Sequence, residues 1–310
     1  MNSANKLFIT GGSGLLGLNW GYHSVGNFLP VLNLHERKVS PENLQTSSIA
    51  LDNVGELIEQ LGRIGPKAVI HTAGITSIEF CEANRELAEH VNTNLAVNVC
   101  LACRELGIPM VHISTDNFFD GSSPLASEDE TPKPLNIYAQ TKARAEEKIL
   151  KTYKEVLIVR TNFYGWGPAY KPSFSDTILQ ALRNGKSVSL FEDVMYTPIL
   201  MSELISSTHT LLEKGYRGIF HIVGDERLSK HDFGLRLAEV FHQDKGLVCF
   251  GQLSKMTRLT ARSFDMSMSN MKVANLLGRS LGDITMHLNK LKEEETTNIV
   301  KAIHEIYPLR

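Results

Sequence analysis

The chain has 310 residues, 42% of them hydrophobic and 21% charged, and 32 Lys and Arg against 34 Asp and Glu leave a formal charge of −2. At ~300 residues such a composition builds a large core without disulfide staples, so a disordered tail or a fibre is excluded. Near-neutral charge excludes nucleic acid or an anionic membrane as the main partner.

Apolar runs at Lys6–Thr10, Leu29–Leu34, Ala68–His71, Pro109–Ser114 and Val156–Arg160 read as strands. Helical patterns near Gly14–Tyr22, Val54–Gly62, Arg85–Leu106 and Ile137–Lys154 alternate with them. This rhythm predicts a doubly wound parallel sheet of the Rossmann type, covered on both faces. Past about residue 165 the rhythm loosens at Gly165-Trp166-Gly167-Pro168. A helix at Ser173–Asn184, a strand at Gly218–Val223, a helix at Ser229–His242 and helical patterns near Asn270–Leu277 and Asp283–Glu295 follow. The expected organisation is a dinucleotide-binding domain over 1–165 and a smaller substrate-binding lobe over 166–310, with elements that cross back to the sheet.

Four cysteines are too few for a disulfide framework, and Cys100-x-x-Cys103 lies in an apolar helical run without a second ligand pair, so both read as core thiols and no metal site is expected. With no signal core near Met1 and no apolar stretch approaching ~18 residues, the expected location is cytoplasmic.

The first turn carries the chemistry of an anion site. Gly11, Gly12, Gly14 and Gly17 follow the first strand and open the first helix, with Ser13, Leu15 and Leu16 between them. Such a turn exposes bare N–H groups and a helix N-terminus to a pyrophosphate, as in dinucleotide binding. About 20 residues on, an acidic residue would take the ribose diol of NAD and an Arg the 2′-phosphate of NADP. Arg37 and Lys38 favour NADP(H), and Glu36 keeps NAD(H) open.

Tyr138 and Lys142 form Tyr-x-x-x-Lys at a helix start, four residues apart and on one face. An ammonium beside a phenol is expected to draw the tyrosine pKa down toward working pH, suiting it to proton transfer at a carbonyl oxygen. Thr115, at the end of the fourth strand, brings a hydroxyl to the same edge of the sheet.

Thr10–Gly17, His71-Thr72-Ala73-Gly74, Ile113-Ser114-Thr115-Asp116-Asn117-Phe118-Phe119-Asp120-Gly121 and Pro134–Lys142 resemble the extended short-chain dehydrogenase/reductases. More narrowly they are similar to the dTDP-4-dehydrorhamnose reductase branch, as are Arg160–Gly165 and Gly218–Gly224. The resemblance implies a nucleotide-sugar 4-ketoreductase in which Tyr138 donates the proton, Thr115 holds the carbonyl and Lys142 binds the nicotinamide ribose. It implies cofactor contacts from Asp52, Thr72, Ala73 and Gly74, substrate contacts from Thr76, Asp116, Asn117 and Phe163, and a homodimer paired through its helices. Asn117 and Phe163 stand where the branch has Tyr and Trp, which bears on sugar specificity.

Other readings stay open. A C4-epimerase needs the same Tyr and Lys. A 4,6-dehydratase needs a carboxylate where Asn117 stands, which argues against it. The branch is also similar to the non-catalytic regulatory subunit of methionine adenosyltransferase, which keeps the fold and nucleotide site.

Overall fold

A computed structural model describes residues 5–257 and 259–309. The strands of the first half are β1 (Lys6–Thr10), β2 (Leu29–Asn33), β3 (Gln45–Ser47), β4 (Ala68–His71), β5 (Met110–Ile113) and β6 (Val156–Arg160). Between them run α1 (Leu15–Ser24), α2 (Val54–Ile64), α3 (Ile78–Ala83), α4 (Arg85–Glu89), α5 (Leu95–Leu106) and α6 (Ile137–Thr152). The second half holds the short strands β7 (Phe163–Tyr164), β8 (Val188–Phe191), β9 (Met195–Tyr196) and β10 (Ile199–Leu200). Then come β11 (Gly218–His221), β12 (Leu228–Ser229) and β13 (Val248–Gly251). Its helices are α7 (Phe174–Arg183), α8 (Met201–Glu213), α9 (Lys230–Val240), α10 (Met271–Leu277), α11 (Ile284–Glu294) and α12 (Asn298–His304).

The main sheet has seven parallel strands in the order β11-β6-β5-β4-β1-β2-β3. Chain order therefore reverses between β1 and β4, the crevice where open α/β sheets bind ligands. Alternation along β1 divides the core: Leu7 and Ile9 face a cluster with Leu18, Leu204 and Ile303, whereas Phe8 faces Leu57, Val99 and Ile149. The first cluster joins α1, α8 and α12, and the second joins α2, α5 and α6. A third, with Tyr164, Leu179, Phe233 and Leu288, centres the second half.

Local chemistry fixes the helix ends. Asn53 and Asn136 cap α2 and α6 by accepting from Glu56 N and Ala139 N at 3.2 and 2.9 Å. Ser173 with Asp176, and Ser229 with Asp232, form capping boxes on α7 and α9. α5 stops at Gly107, whose φ of +65° suits glycine.

The elements differ from those expected in three places. The single helix expected over Arg85–Leu106 is α4 and α5 joined by a wide π turn at His90–Asn94. Buried Asn92 shapes that turn by reaching out of it, accepting from Ile75 N at 2.7 Å and donating to Ile75 O at 3.0 Å. Helices α8 and α12, absent from the sequence reading, cover one face of the sheet together with α1. The strand-like run read from the sequence at Ser48–Leu51 lies just past the actual edge strand, β3 at Gln45–Ser47, which is three exposed or half-buried residues with little apolar signal. Cys100 and Cys103 are free and buried in α5, and burial pushes the Cys100 thiol up to about 12. Among the described residues no helix is long and apolar enough to cross a membrane.

Candidate active site

The glycine turn lies at the reversal of strand order and is tied to β4. Thr72 Oγ1 donates to Thr10 O at 2.7 Å, and Ala73 N donates to Thr10 Oγ1 at 3.3 Å. Gly11 has a φ of +68°, and a side chain there would meet Ala73 Cα at 2.9 Å. A Cβ on Gly17 would meet the Gly11 carbonyl group and, at 2.9 Å, Thr72 Oγ1. The crowding brings the start of α1 against the turn, and no side chain caps that helix at Gly14. Uncapped first-turn N–H groups, a positive helix end and absent Cβ atoms together fit a pyrophosphate. Leu16 is buried behind the turn and Leu15 is half-buried at its lip.

Tyr138 and Lys142 rise from the start of α6 against the end of β5. Tyr138 is 9% exposed. Burial pushes its phenol up to about 12, the neighbouring Thr115 hydroxyl opposes that rise, and the Asp116 charge adds to it. This reverses the expectation that Lys142 would draw the phenol down. The Lys142 ammonium is committed elsewhere, donating to Ile113 O at 2.7 Å and standing 3.3 Å from His112 Nε2. Burial brings Lys142 down to about 8, partly offset by the Glu146 charge. The phenol thus keeps its proton at neutral pH, which is what a proton donor requires.

Behind Lys142, His112 stacks on His71 with ring centres 5.4 Å apart, and His71 Nδ1 lies 2.9 Å from Thr10 Oγ1. Both imidazoles are held neutral, first by burial and then by the Lys142 charge, with His71 brought down to about 3.

Asp116 is the second focus, 2% exposed. It accepts from Asn117 Nδ2 at 2.8 Å and from Asn162 Nδ2. Thr115 Oγ1 accepts from Asn117 N at 3.2 Å and donates to Asp116 Oδ1 at 3.3 Å. Burial raises the Asp116 carboxyl, while the Asn162 amide and the Lys230 charge pull it back. Lys230, at the start of α9, stands 4.1 Å from the centre of the Tyr196 ring. Sequence reading missed Asn162 and Lys230. Asn162 follows Arg160-Thr161 at the end of β6, a strand end at the binding edge of the sheet, and that position was the available signal.

The remaining residues named from the sequence divide. Thr115, Asp116, Asn117, Tyr138 and Lys142 come together at the ends of β5 and α6. Ala73 and Gly74 lie on the turn after β4, where Asn92 Oδ1 would meet a Gly74 Cβ at 3.2 Å. Thr76 is exposed on the same loop. Phe163 is half-buried and packs against the cluster containing Ile199 and Met201. Asp52 is exposed and pairs with His90 Nε2 at 2.8 Å. Arg37 and Lys38 part company: Lys38 Nζ donates to Ser48 Oγ at 2.9 Å, while the Arg37 guanidinium lies 4.7 Å from the centre of the Tyr170 ring.

The model of the RmlD substrate binding domain family matches residues 5–296. A probable low-salt glycan biosynthesis reductase, Agl14, of Haloferax volcanii is 27% identical over 266 residues, covering 82% of this chain and 86% of that protein. Methionine adenosyltransferase 2 subunit beta of Rattus norvegicus is 24% identical over 255 residues, covering 77% of this chain and 73% of that protein. The crystal structure of dTDP-4-dehydrorhamnose reductase from Bacillus anthracis in complex with NADP superposes with a TM-score of 0.80 at 22% identity. It covers 94% of this chain and 99% of that one, and so shares the fold. With the family model matching residues 5–296, the chain belongs to the RmlD substrate binding domain family, the dTDP-4-dehydrorhamnose reductase-like branch of the extended short-chain dehydrogenase/reductases.

Proposed function

We propose that the chain is an NADPH-dependent reductase of a nucleotide-linked 4-keto-6-deoxy sugar. The carrying observation is the buried, protonated Tyr138 phenol beside the Thr115 hydroxyl, at the sheet edge that also holds the glycine turn. The glycine turn and the start of α1 hold the cofactor pyrophosphate, and Thr72, Ala73 and Gly74 line the path toward the reacting end. When bound, the nicotinamide supplies the hydride that the C4 carbonyl carbon gains. Thr115 turns its one hydroxyl proton from Asp116 Oδ1 to the carbonyl oxygen, and Tyr138 gives that oxygen its proton, which solvent then replaces. Lys142, anchored by one of its donors on Ile113 O, turns its remaining donors to the nicotinamide ribose. Asp116, Asn117 and Asn162 present a polar wall to the sugar hydroxyls.

The test follows nicotinamide absorbance with NADPH and freshly made dTDP-4-keto-6-deoxyhexose, with NADH and other nucleotide-linked keto sugars in parallel. Tyr138→Phe is expected to lose ~10²–10⁴-fold in kcat while still binding NADPH. Turnover undiminished in that variant removes Tyr138 from the mechanism.

The likeness to methionine adenosyltransferase 2 subunit beta favours one rival, a nucleotide-binding regulatory subunit. Stable co-elution with a methionine adenosyltransferase, together with no turnover on any keto sugar, would establish that reading instead.

A further inference from the structure

We propose that Tyr170 and Lys171, on the turn between β7 and α7, complete a 2′-phosphate clamp with Arg37 and make this turn a selector of NADP over NAD. The inference rests on the dinucleotide reading above and adds residues from the second half of the chain to the cofactor site.

The turn is latched onto the glycine turn. Tyr170 Oη donates to Ser13 O at 3.0 Å. Lys171 N donates to Pro168 O at 2.8 Å, closing the turn. Gly167 is its pivot: a Cβ there would meet Lys171 O at 2.6 Å and Leu15 Cδ1 at 2.9 Å. The turn is therefore pressed against the first residue of α1, beside the donors that take a pyrophosphate.

From that latch Tyr170 reaches to the tip of β2. The Arg37 guanidinium stacks on its ring at 4.7 Å, spending one face and leaving the N–H edge free. A planar guanidinium held this way keeps its donors pre-aligned for a two-pronged grip on phosphate. Ser13, Tyr170 and Arg37 thus mark a line from the glycine turn to the end of β2, the direction in which a dinucleotide runs from pyrophosphate to adenosine ribose.

Lys171, the next residue along the latched turn, offers a second cation to this rim. It directly follows Tyr170, on whose ring Arg37 stacks, and burial of the ammonium, first, and the Arg37 charge, second, disfavour its charged form. Like charges at one rim repel, and a doubly charged phosphate between them turns that repulsion into attraction. Lys38 is not part of the pair, since its ammonium is bonded to Ser48.

Calorimetric titration of the full chain with NADP and with NAD isolates the 2′-phosphate, the one group by which they differ. The wild type is expected to prefer NADP. Lys171→Ala and Tyr170→Ala are each expected to reduce that preference about tenfold, and Lys171→Arg to retain it. Circular dichroism and thermal midpoints establish that each variant is folded. If both alanine variants keep the full preference while Arg37→Ala abolishes it, the clamp is wrong and the NADP reading stands. If the wild type binds the two equally, the NADP reading fails and the clamp with it. If it binds neither, the dinucleotide site itself is wrong.

Discussion

The Lys142 ammonium lies 2.7 Å from the carbonyl oxygen of Ile113, bonded to the end of the strand that carries Thr115. Burial lowers this group to about 8 from an ordinary value of 10.5. Its charge is therefore lost from the folded protein across a range where the unfolded chain keeps it. The profile of kcat/KM for NADPH, which reports the free enzyme, is expected to bend downward near pH 8. Lys142→Arg, charged throughout this range, is expected to move the bend upward.

The same shift makes a stability prediction of definite sign. Between about pH 8 and 10.5 the unfolded state binds more protons than the folded one at this site, so stability rises with pH there. Below pH 8 the cost of the buried charge is fully present. The thermal midpoint of wild type relative to Lys142→Met is expected to climb between pH 7.5 and 10. A flat difference across that range would show that Lys142 is not depressed.

Two glycines separate conformational need from habit. Gly17→Ala puts a methyl group into the Gly11 backbone and within 2.9 Å of Thr72 Oγ1, with no flexible side-chain tip to yield. Loss of NADP binding in calorimetry is the expected outcome. Gly62 lies inside α2, and its nearest neighbour is Leu106 Cδ2 at 3.8 Å. Gly62→Ala is expected to stabilise by about 0.4–1 kcal/mol through helix entropy alone. A stabilised Gly62→Ala beside an intact, cofactor-binding Gly17→Ala would refute the crowding argument.

The arrangement legible in the sequence was the part built on short-range signals. The first five strands and the helices between them, the glycine turn and the Tyr138–Lys142 spacing are each set within a short stretch of chain, where periodicity and caps act. What escaped depends on long-range contact. Asn162 matters because the fold sets it against Asp116, 46 residues away. Tyr170 matters through Ser13, 157 residues away. The phenol was misjudged for the same reason: spacing put Lys142 beside Tyr138, whereas the end of β5 offered the ammonium a carbonyl. Beyond the family match, helix α12 and the tail follow, and the tail returns to the site's margin, with Leu309 N donating to Lys38 O at 2.8 Å. No local pattern announces such a return.

Arg160 and Glu146 form an ion pair that fastens α6 to β6. Arg160 Nη2 and Nε reach Glu146 Oε2 at 2.8 and 3.1 Å, both side chains nearly fully buried. The guanidinium also lies 4.9 Å from the Phe118 ring, just past Thr115–Asn117. Arg160→Met strands the carboxylate and is expected to cost about 3–5 kcal/mol in urea unfolding. The double variant Arg160→Met with Glu146→Met is expected to recover most of that loss, because no unpaired charge remains. A double variant as unstable as the single would show that packing, not charge, holds this corner.

Asn162→Leu probes the second focus of the site. Burial already raises the Asp116 carboxyl above its ordinary value of 3.8, and the Asn162 amide is the largest influence opposing that rise. Removing the amide is expected to lift the carboxyl further. An acid whose folded pKa exceeds its unfolded one binds protons more tightly when folded, so stability falls as pH rises through that window and the penalty stays above it. The thermal midpoint of Asn162→Leu relative to wild type is therefore expected to fall as the pH is raised from the acid side. Activity is expected to show the complementary trend, with the variant losing more kcat/KM for the keto sugar toward acid pH, where the further-raised carboxyl takes up its proton first and accepts less strongly from a sugar hydroxyl. Lys230→Met, which removes the facing cation, is expected to shift both profiles in the same direction. Profiles parallel to wild type in both variants would mean that Asp116 does not titrate in this range and that its role is to shape the loop through Thr115 and Asn117.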